Sequence, residues 1–191
     1  MNKPSSTPLI VGLGGSLRAR SYSRMALQAS LALAAERGAE VALLDLNALD
    51  LPLFRPDMPL DAYSQFQQPA IARLIESCRA ANAMIWASPT YHGTVSGAFK
   101  NALDFLELLS DDDPPYLSGQ AIGLIAVSDQ STFPAMIDSV HELRAWLAPT
   151  RVTLTGRDFD ADQLLTSERV QHRMARMVGE LLTFSQSHPR S

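Results

Sequence analysis

The residues best placed to do chemistry lie in 9–23, LIVGLGGSLRARSYS. A short apolar stretch ends in Gly12, Gly14 and Gly15, hydroxyls and arginines alternate after it, and an alanine- and leucine-rich helical pattern follows. A strand, a tight turn and a helix start in that order make a seat for a phosphate. The first N–H groups of a helix have no partner within it, and the helix dipole favours negative charge there. Ser16, Ser21 and Ser23 each offer a hydroxyl donor, and the Arg18 guanidinium is a planar fork for two phosphate oxygens. A charge-assisted hydrogen bond contributes about 1.5–3 kcal/mol, so Arg18 with three hydroxyls and several amides supplies much of a micromolar affinity, about −8 kcal/mol. Arg20 and Arg24 read as surface charges satisfied by solvent or salt bridges.

Two familiar phosphate loops are excluded by the residues themselves. A P-loop needs a lysine before Ser/Thr at the end of the turn, and no lysine occurs between Lys3 and Lys100. A dinucleotide fingerprint needs a third glycine for close helix–strand packing, whereas Gly12-Leu13-Gly14 is followed by Gly15-Ser16-Leu17. Asp45, near the end of the next apolar run, imitates a ribose-binding acid but reads as an exposed strand-end residue. The remaining loop suits a single terminal phosphate.

These residues need a scaffold, and the chain supplies one. At 191 residues it suits a single domain, 1–191, with a substantial core. Short apolar segments at 9–13, 41–44, 83–87, 121–127 and 152–154 read as strands, and their near-continuous apolar character fits a parallel sheet buried on both faces. Helical patterns lie between them at 22–37, 69–80, 95–109 and 134–147, with a last one at 167–186. Five β–α units imply an α/β, doubly wound sheet with helices on both faces. Ligands in such sheets bind at the carboxyl ends of the strands, so the loops after the first, third and fourth strands are expected to converge. The proline-rich stretch 47–68 is too long for a simple connection and is expected to pack over the surface near the site. The acidic turn at 111–113 reads as a solvated loop.

Composition narrows the function classes. Hydrophobic residues make up 46% and charged residues 19%, and the net charge of −4 argues against a nucleic-acid partner. The single Cys78 sits on an apolar helical stripe and reads as a small core residue, so nothing points to an oxidising compartment. Residues 1–8 carry no apolar signal core and no run approaches the ~20 residues of a membrane helix, which sets a cytoplasmic expectation without a membrane partner. His141, His172 and His188 lack metal-ligand spacing, and no nucleophile-elbow pattern occurs. No metal site is expected.

The second loop follows the third strand as Ser88-Pro89-Thr90-Tyr91-His92-Gly93. Pro89 ends the ladder because it has no N–H, Tyr91 and His92 give flat polar surface, and Gly93 lets backbone pass close to a ligand. Lys100 and Asp104 read as an i,i+4 pair on the following helix.

With Gly15-Ser16-Leu17-Arg18, Ser21 and Ser23 on one side and Pro89-Thr90-Tyr91-His92-Gly93 through Ser96-Gly97-Ala98-Phe99-Lys100-Asn101-Ala102-Leu103-Asp104 on the other, the chain resembles the NADPH-dependent FMN reductase family. The resemblance covers residues 9–154 and implies a flavodoxin-like, five-stranded parallel sheet of order 2-1-3-4-5. It implies that Ser16, Arg18, Ser21 and Ser23 hold the FMN phosphate and that Pro89, Thr90, Tyr91, His92 and Gly93 line the isoalloxazine ring. It further implies that NADPH or NADH is the electron donor and a small molecule (free flavin, quinone, azo compound or metal ion) the acceptor. The cofactor carries that chemistry, so no side-chain acid or base is required and no catalytic residue is named. A homodimer or homotetramer through the third and fourth helices is also implied.

Two departures from the family pattern stand out. Ser23 replaces a frequent asparagine, a mild change. After the fourth strand, where the family often has Ser/Thr-Gly-Gly, the chain has Ser128-Asp129-Gln130-Ser131-Thr132, so side chains at Asp129 and Gln130 fill space that glycines leave empty. Ser128, Asp129 and Gln130 complete the expected cofactor-binding set. A carboxylate there also disfavours an anionic reduced flavin by like-charge repulsion. Two alternatives stay open at this point: a non-catalytic FMN-binding electron carrier or sensor, and a dinucleotide-binding oxidoreductase without flavin built on Gly12, Gly14 and Asp45.

Overall fold

Continuous apolar runs become the centre of the sheet. In the computed structural model, which describes residues 7–188, β3 (Ala83–Pro89) and β4 (Ala121–Val127) are buried at every position. They are flanked by β1 (Leu9–Gly14), β2 (Glu40–Asp45) and β5 (Trp146–Leu154), all parallel, in the order β2-β1-β3-β4-β5. Residues 1–6, part of the segment expected to lack a signal core, and 189–191 lie outside the described residues.

Alternate side chains go to opposite faces and build two cores. Val11, Leu13, Met84, Trp86 and Leu124 meet α3 (Gln68–Ala80), α4 (Gly97–Asp104) and α5 (Phe133–Glu142). Ile10, Ile85, Ile125 and Val152 meet α1 (Tyr22–Glu36) and α6 (Glu168–Ser187). Cys78 is fully buried in the first core. Strand order reverses between β1 and β3, and this places the ends of β1, β3 and β4 side by side.

Three elements differ from the sequence reading. The helix expected over 95–109 is α4 only to Asp104, and then tightens into a 3-10 turn at Phe105–Leu109. The helix expected over 134–147 stops at Glu142, because Arg144 takes φ 59° and reverses the chain. β5 therefore begins at Trp146, six residues before the expected start at 152. Pro149 hid that strand; it is tolerated because β5 is an edge, and the register slips between Ile122 and Leu124 opposite it.

The stretch 47–68 packs beside the site as expected. It begins within α2 (Leu46–Leu49) and is pinned by Asn101, which accepts from Phe54 N–H at 2.9 Å and donates to the Pro52 carbonyl at 2.8 Å. The acidic turn is less solvated than expected: Asp112 takes a two-pronged bond from Arg79, at 2.6 and 3.2 Å.

Candidate functional site

The first loop is shaped by where β1 must stop. Gly14 takes φ 143°, and a Cβ there would lie 1.9 Å from the Ala87 carbonyl oxygen, so only glycine lets the chain leave β1 across the end of β3. Gly15 at φ 102° donates to that same carbonyl at 3.2 Å. The loop then folds onto the start of α1. Ser21 Oγ accepts from Ser16 N–H at 3.1 Å and from Arg24 N–H at 3.2 Å, which makes it the α1 N-cap. Its Oγ lies 3.1 Å from Ser23 Oγ, so with both lone pairs engaged its single proton points to Ser23. Ser16 Oγ accepts from Arg18 N–H at 3.4 Å.

The three serines are therefore not equivalent. All are buried, but Ser21 shapes the loop while the protons of Ser16 and Ser23 remain to be donated. The ladder of α1 begins with Met25 N–H to the Ser21 carbonyl, so the Tyr22 and Ser23 amides precede it. Arg18 is exposed, with its guanidinium carbon 5.8 Å from the Tyr91 ring centroid. Arg20 rests on Tyr22 at 5.8 Å.

The second loop is a closed two-residue turn. Tyr91 and Thr94 exchange backbone bonds at 3.0 and 3.1 Å, with His92 at φ 51° and Gly93 at φ 81°. Two consecutive left-handed residues define a type I′ turn, with His92 and Gly93 exposed at its tip. Pro89 is buried at the base. Behind it, Ser88 Oγ donates to the Pro89 carbonyl at 2.8 Å and accepts from Ser96 N–H at 3.0 Å, while Ser96 caps α4. The turn is thus fixed from both ends.

The third loop carries strain. Ser128 takes φ 92°, a region that side chains rarely adopt, and donates to the Leu154 carbonyl at 2.9 Å. Asp129 turns back on its own loop, accepting from Ser131 N–H at 2.8 Å and from the Ser131 hydroxyl. Those two bonds hold its carboxyl below its ordinary value, the hydroxyl contributing most. Gln130 is exposed.

The three loops do converge. Thr90 N–H bonds the Val127 carbonyl at 3.0 Å and Thr90 Oγ1 bonds the Asp129 carbonyl at 3.3 Å, which ties the second loop to the third. Gly15 ties the first loop to β3, and Arg18 reaches Tyr91. His92, Gly93 and Gln130 are exposed, and among the described residues no hydrogen bond joins the His92 or Gln130 side chain to the other site residues.

Arg24 makes a salt bridge, as expected, but sequence reasoning missed its partner, Asp45. Asp45, expected to be exposed, has a side chain only 14% accessible and pairs with Arg24 at 3.4 Å. Their signal was their place, one in the first turn of α1 and the other closing the neighbouring strand. Lys100 pairs with Asp104 as expected.

A groove of about 1250 Å³ lies elsewhere, along α6 and the β5 edge, lined in part by Arg151, Arg169 and Arg173, and it reaches the third loop at Gln130. Its arginines are occupied: Arg173 bonds the Arg151 carbonyl, Arg169 faces Asp158 at 3.8 Å, and Arg151 lies over Phe133. The unused amides and hydroxyls collect at the β1 loop, so the candidate site is there. A small apolar cavity of about 200 Å³, lined by Leu17, Leu51, Leu53, Ala98 and Asn101, adjoins it. No group of three or more His, Cys, Asp or Glu among the described residues could hold a metal ion.

The residues present fit FMN. A cradle closed to any Cβ at Gly14, free first-turn amides, two donor hydroxyls and an exposed arginine suit its phosphate, and the closed turn at Tyr91 offers a wall for its ring.

Sheet order and loop placement define a flavodoxin-like α/β protein. A solved structure of similar fold is the flavoenzyme NAD(P)H:(acceptor) oxidoreductase FerB from Paracoccus denitrificans, with a TM-score of 0.75 and 19% identity over 95% of this chain and 99% of that one. Among curated relatives, NADPH-dependent FMN reductase ArsH from Shigella flexneri is 26% identical over 95% of this chain and 71% of its own length. NAD(P)H-dependent FMN reductase PA1204 from Pseudomonas aeruginosa is 35% identical over 50% of this chain and 48% of its own. The family profile described as NADPH-dependent FMN reductase matches residues 8–157. The chain belongs to the NADPH-dependent FMN reductase family.

Proposed function

We propose that this single domain is an FMN-dependent NAD(P)H oxidoreductase that passes electrons from a nicotinamide donor to a small acceptor. The observation that carries the reading is the β1 loop, where Ser16, Ser23, Arg18 and the Tyr22 and Ser23 amides leave donors unused around one helix start. Bound FMN supplies the hydride and electron transfer chemistry.

The chain's own residues bind and orient. Ser16, Arg18 and Ser23 hold the phosphate, with Ser21 shaping the loop beneath them. Pro89, Thr90, Tyr91, His92 and Gly93 form a wall for the ring, and Ser128, Asp129 and Gln130 border its edge. Acceptor classes consistent with an exposed, partly apolar rim are free flavin, quinones, azo compounds and metal ions. A homodimer or homotetramer is part of this reading, supported by the accessible apolar side chains near α3 and α4, Leu53 at 78% exposed and Phe66 at 86%; the cytoplasm is its proposed compartment.

The test is a flavin absorbance spectrum with FMN added, followed by steady NAD(P)H oxidation with an acceptor. Arg18→Ala is expected to weaken FMN binding by one to two decades, on the order of 1.5–3 kcal/mol. An unchanged dissociation constant in that variant would remove the phosphate assignment, and FMN binding without NAD(P)H turnover would favour an electron carrier.

A further inference from the structure

Arg24 and Asp45 join the phosphate-shaped loop to the neighbouring strand. Asp45 closes β2 beside Gly14, and its Oδ1 would sit 3.2 Å from a Cβ built on Gly15. The carboxylate cannot swing away freely, because Oδ1 also caps α2 through Asn47 N–H at 3.2 Å. A negative charge therefore stands directly behind the loop that presents donors to an anion. Arg24 answers it: Nη1 lies 3.4 Å from Asp45 Oδ2, and Nη2 donates to the Ala19 carbonyl at 2.6 Å. Side-chain exposures of 24% and 14% place the pair in a half-buried setting, where losing one partner matters more than at the surface.

We propose that Arg24 is a positioning residue for phosphate recognition: its guanidinium fixes the loop through Ala19 and cancels the Asp45 carboxylate, which would otherwise repel the bound phosphate. This rests on the reading that the β1 loop binds the FMN phosphate. A salt bridge serving fold stability alone would affect flavins with and without a phosphate equally.

The experiment compares dissociation constants for FMN and riboflavin, by flavin fluorescence, in the full chain and its variants. Arg24→Ala is expected to weaken FMN about tenfold or more while riboflavin changes less than about twofold, since only FMN carries the anion. Asp45→Asn, which removes the repelling carboxylate and leaves Arg24 free to hold Ala19, is expected to bind FMN at least as tightly as the unmodified protein. The double variant R24A/D45N is expected to bind FMN more tightly than R24A, because the unpaired carboxylate is gone. Should R24A not fold, Arg24→Lys, which reaches only one of the two partners, is expected to lose FMN affinity and keep riboflavin affinity. Equal losses for both flavins, unchanged FMN binding in R24A and R24K, or no recovery in the double variant would overturn the proposal. FMN bound no more tightly than riboflavin by the unmodified protein would overturn the phosphate reading itself, and this inference with it.

Discussion

At the residue scale, the Asp129 carboxylate is a charge fixed at the rim of the site, with two bonds from Ser131 keeping it ionised. A negative charge beside a bound flavin opposes the arrival of electrons. Asp129→Asn keeps an acceptor for Ser131 and removes the charge, so the midpoint potential of bound FMN is expected to move positive while FMN affinity holds. Redox titration of both proteins checks this, and an unmoved potential would put the carboxylate out of range of the ring. Asp158 gives a separate prediction. Burial pushes its carboxyl up, but bonds from Thr155 N–H and from the Ser167 and Thr155 hydroxyls, with the charge of Arg169, outweigh that and hold it below its ordinary 3.8. A depressed folded value stabilises above the unfolded value and is lost as pH falls through the folded one. Asp158→Asn is therefore expected to lower stability by about 1 kcal/mol near neutral pH. The gap from the unmodified protein should close below pH 3.8, as read by thermal melts.

At the element scale, the sheet was legible because β1, β3 and β4 are apolar runs buried on both faces, a pattern with few other solutions. β5 was not: Pro149 and the exposed residues of an edge strand conceal its first half, and the left-handed Arg144 gives no sequence signal for ending α5. The site was legible in its loops and not in its interior. Nothing in the order of residues separates Ser21, which caps a helix, from Ser16 and Ser23; only the fold shows whose lone pairs are taken. Two predictions belong here. Gly14→Ala forces a Cβ against the Ala87 carbonyl at the β1–β3 junction, and a loss of about 3 kcal/mol or more is expected in denaturant melts. Cys78 on α3 is fully buried, and burial pushes its thiol up to about 12. It is expected to resist thiol reagents at pH 8 until the chain is unfolded, which a mass-shift assay reads directly.

At the scale of the whole molecule, side chains cover backbone groups at both sheet edges. Arg73 donates to the Leu43 carbonyl on β2 at 3.2 Å. On β5, Arg173 takes the Arg151 carbonyl at 2.7 Å and Glu180 accepts Thr150 N–H at 2.9 Å. Capped edges disfavour strand-to-strand addition, so copies of the chain are expected to meet through helices and loops. The accessible Leu53 and Phe66 beside α4 and α3 point to that face. A Leu53→Glu, Phe66→Glu variant is expected to sediment as a smaller species than the homo-oligomer proposed for the unmodified protein, and an unchanged mass would place the contact elsewhere.

The proposed function depends on the β1 loop gripping a phosphate, and a crystal structure of the protein with FMN tests that most directly. The phosphate oxygens are expected within hydrogen-bond reach of Ser16, Ser23, Arg18 and the first amides of α1. A phosphate lodged against Arg151, Arg169 and Arg173 in the groove along α6, with the β1 loop closed on itself, would contradict it.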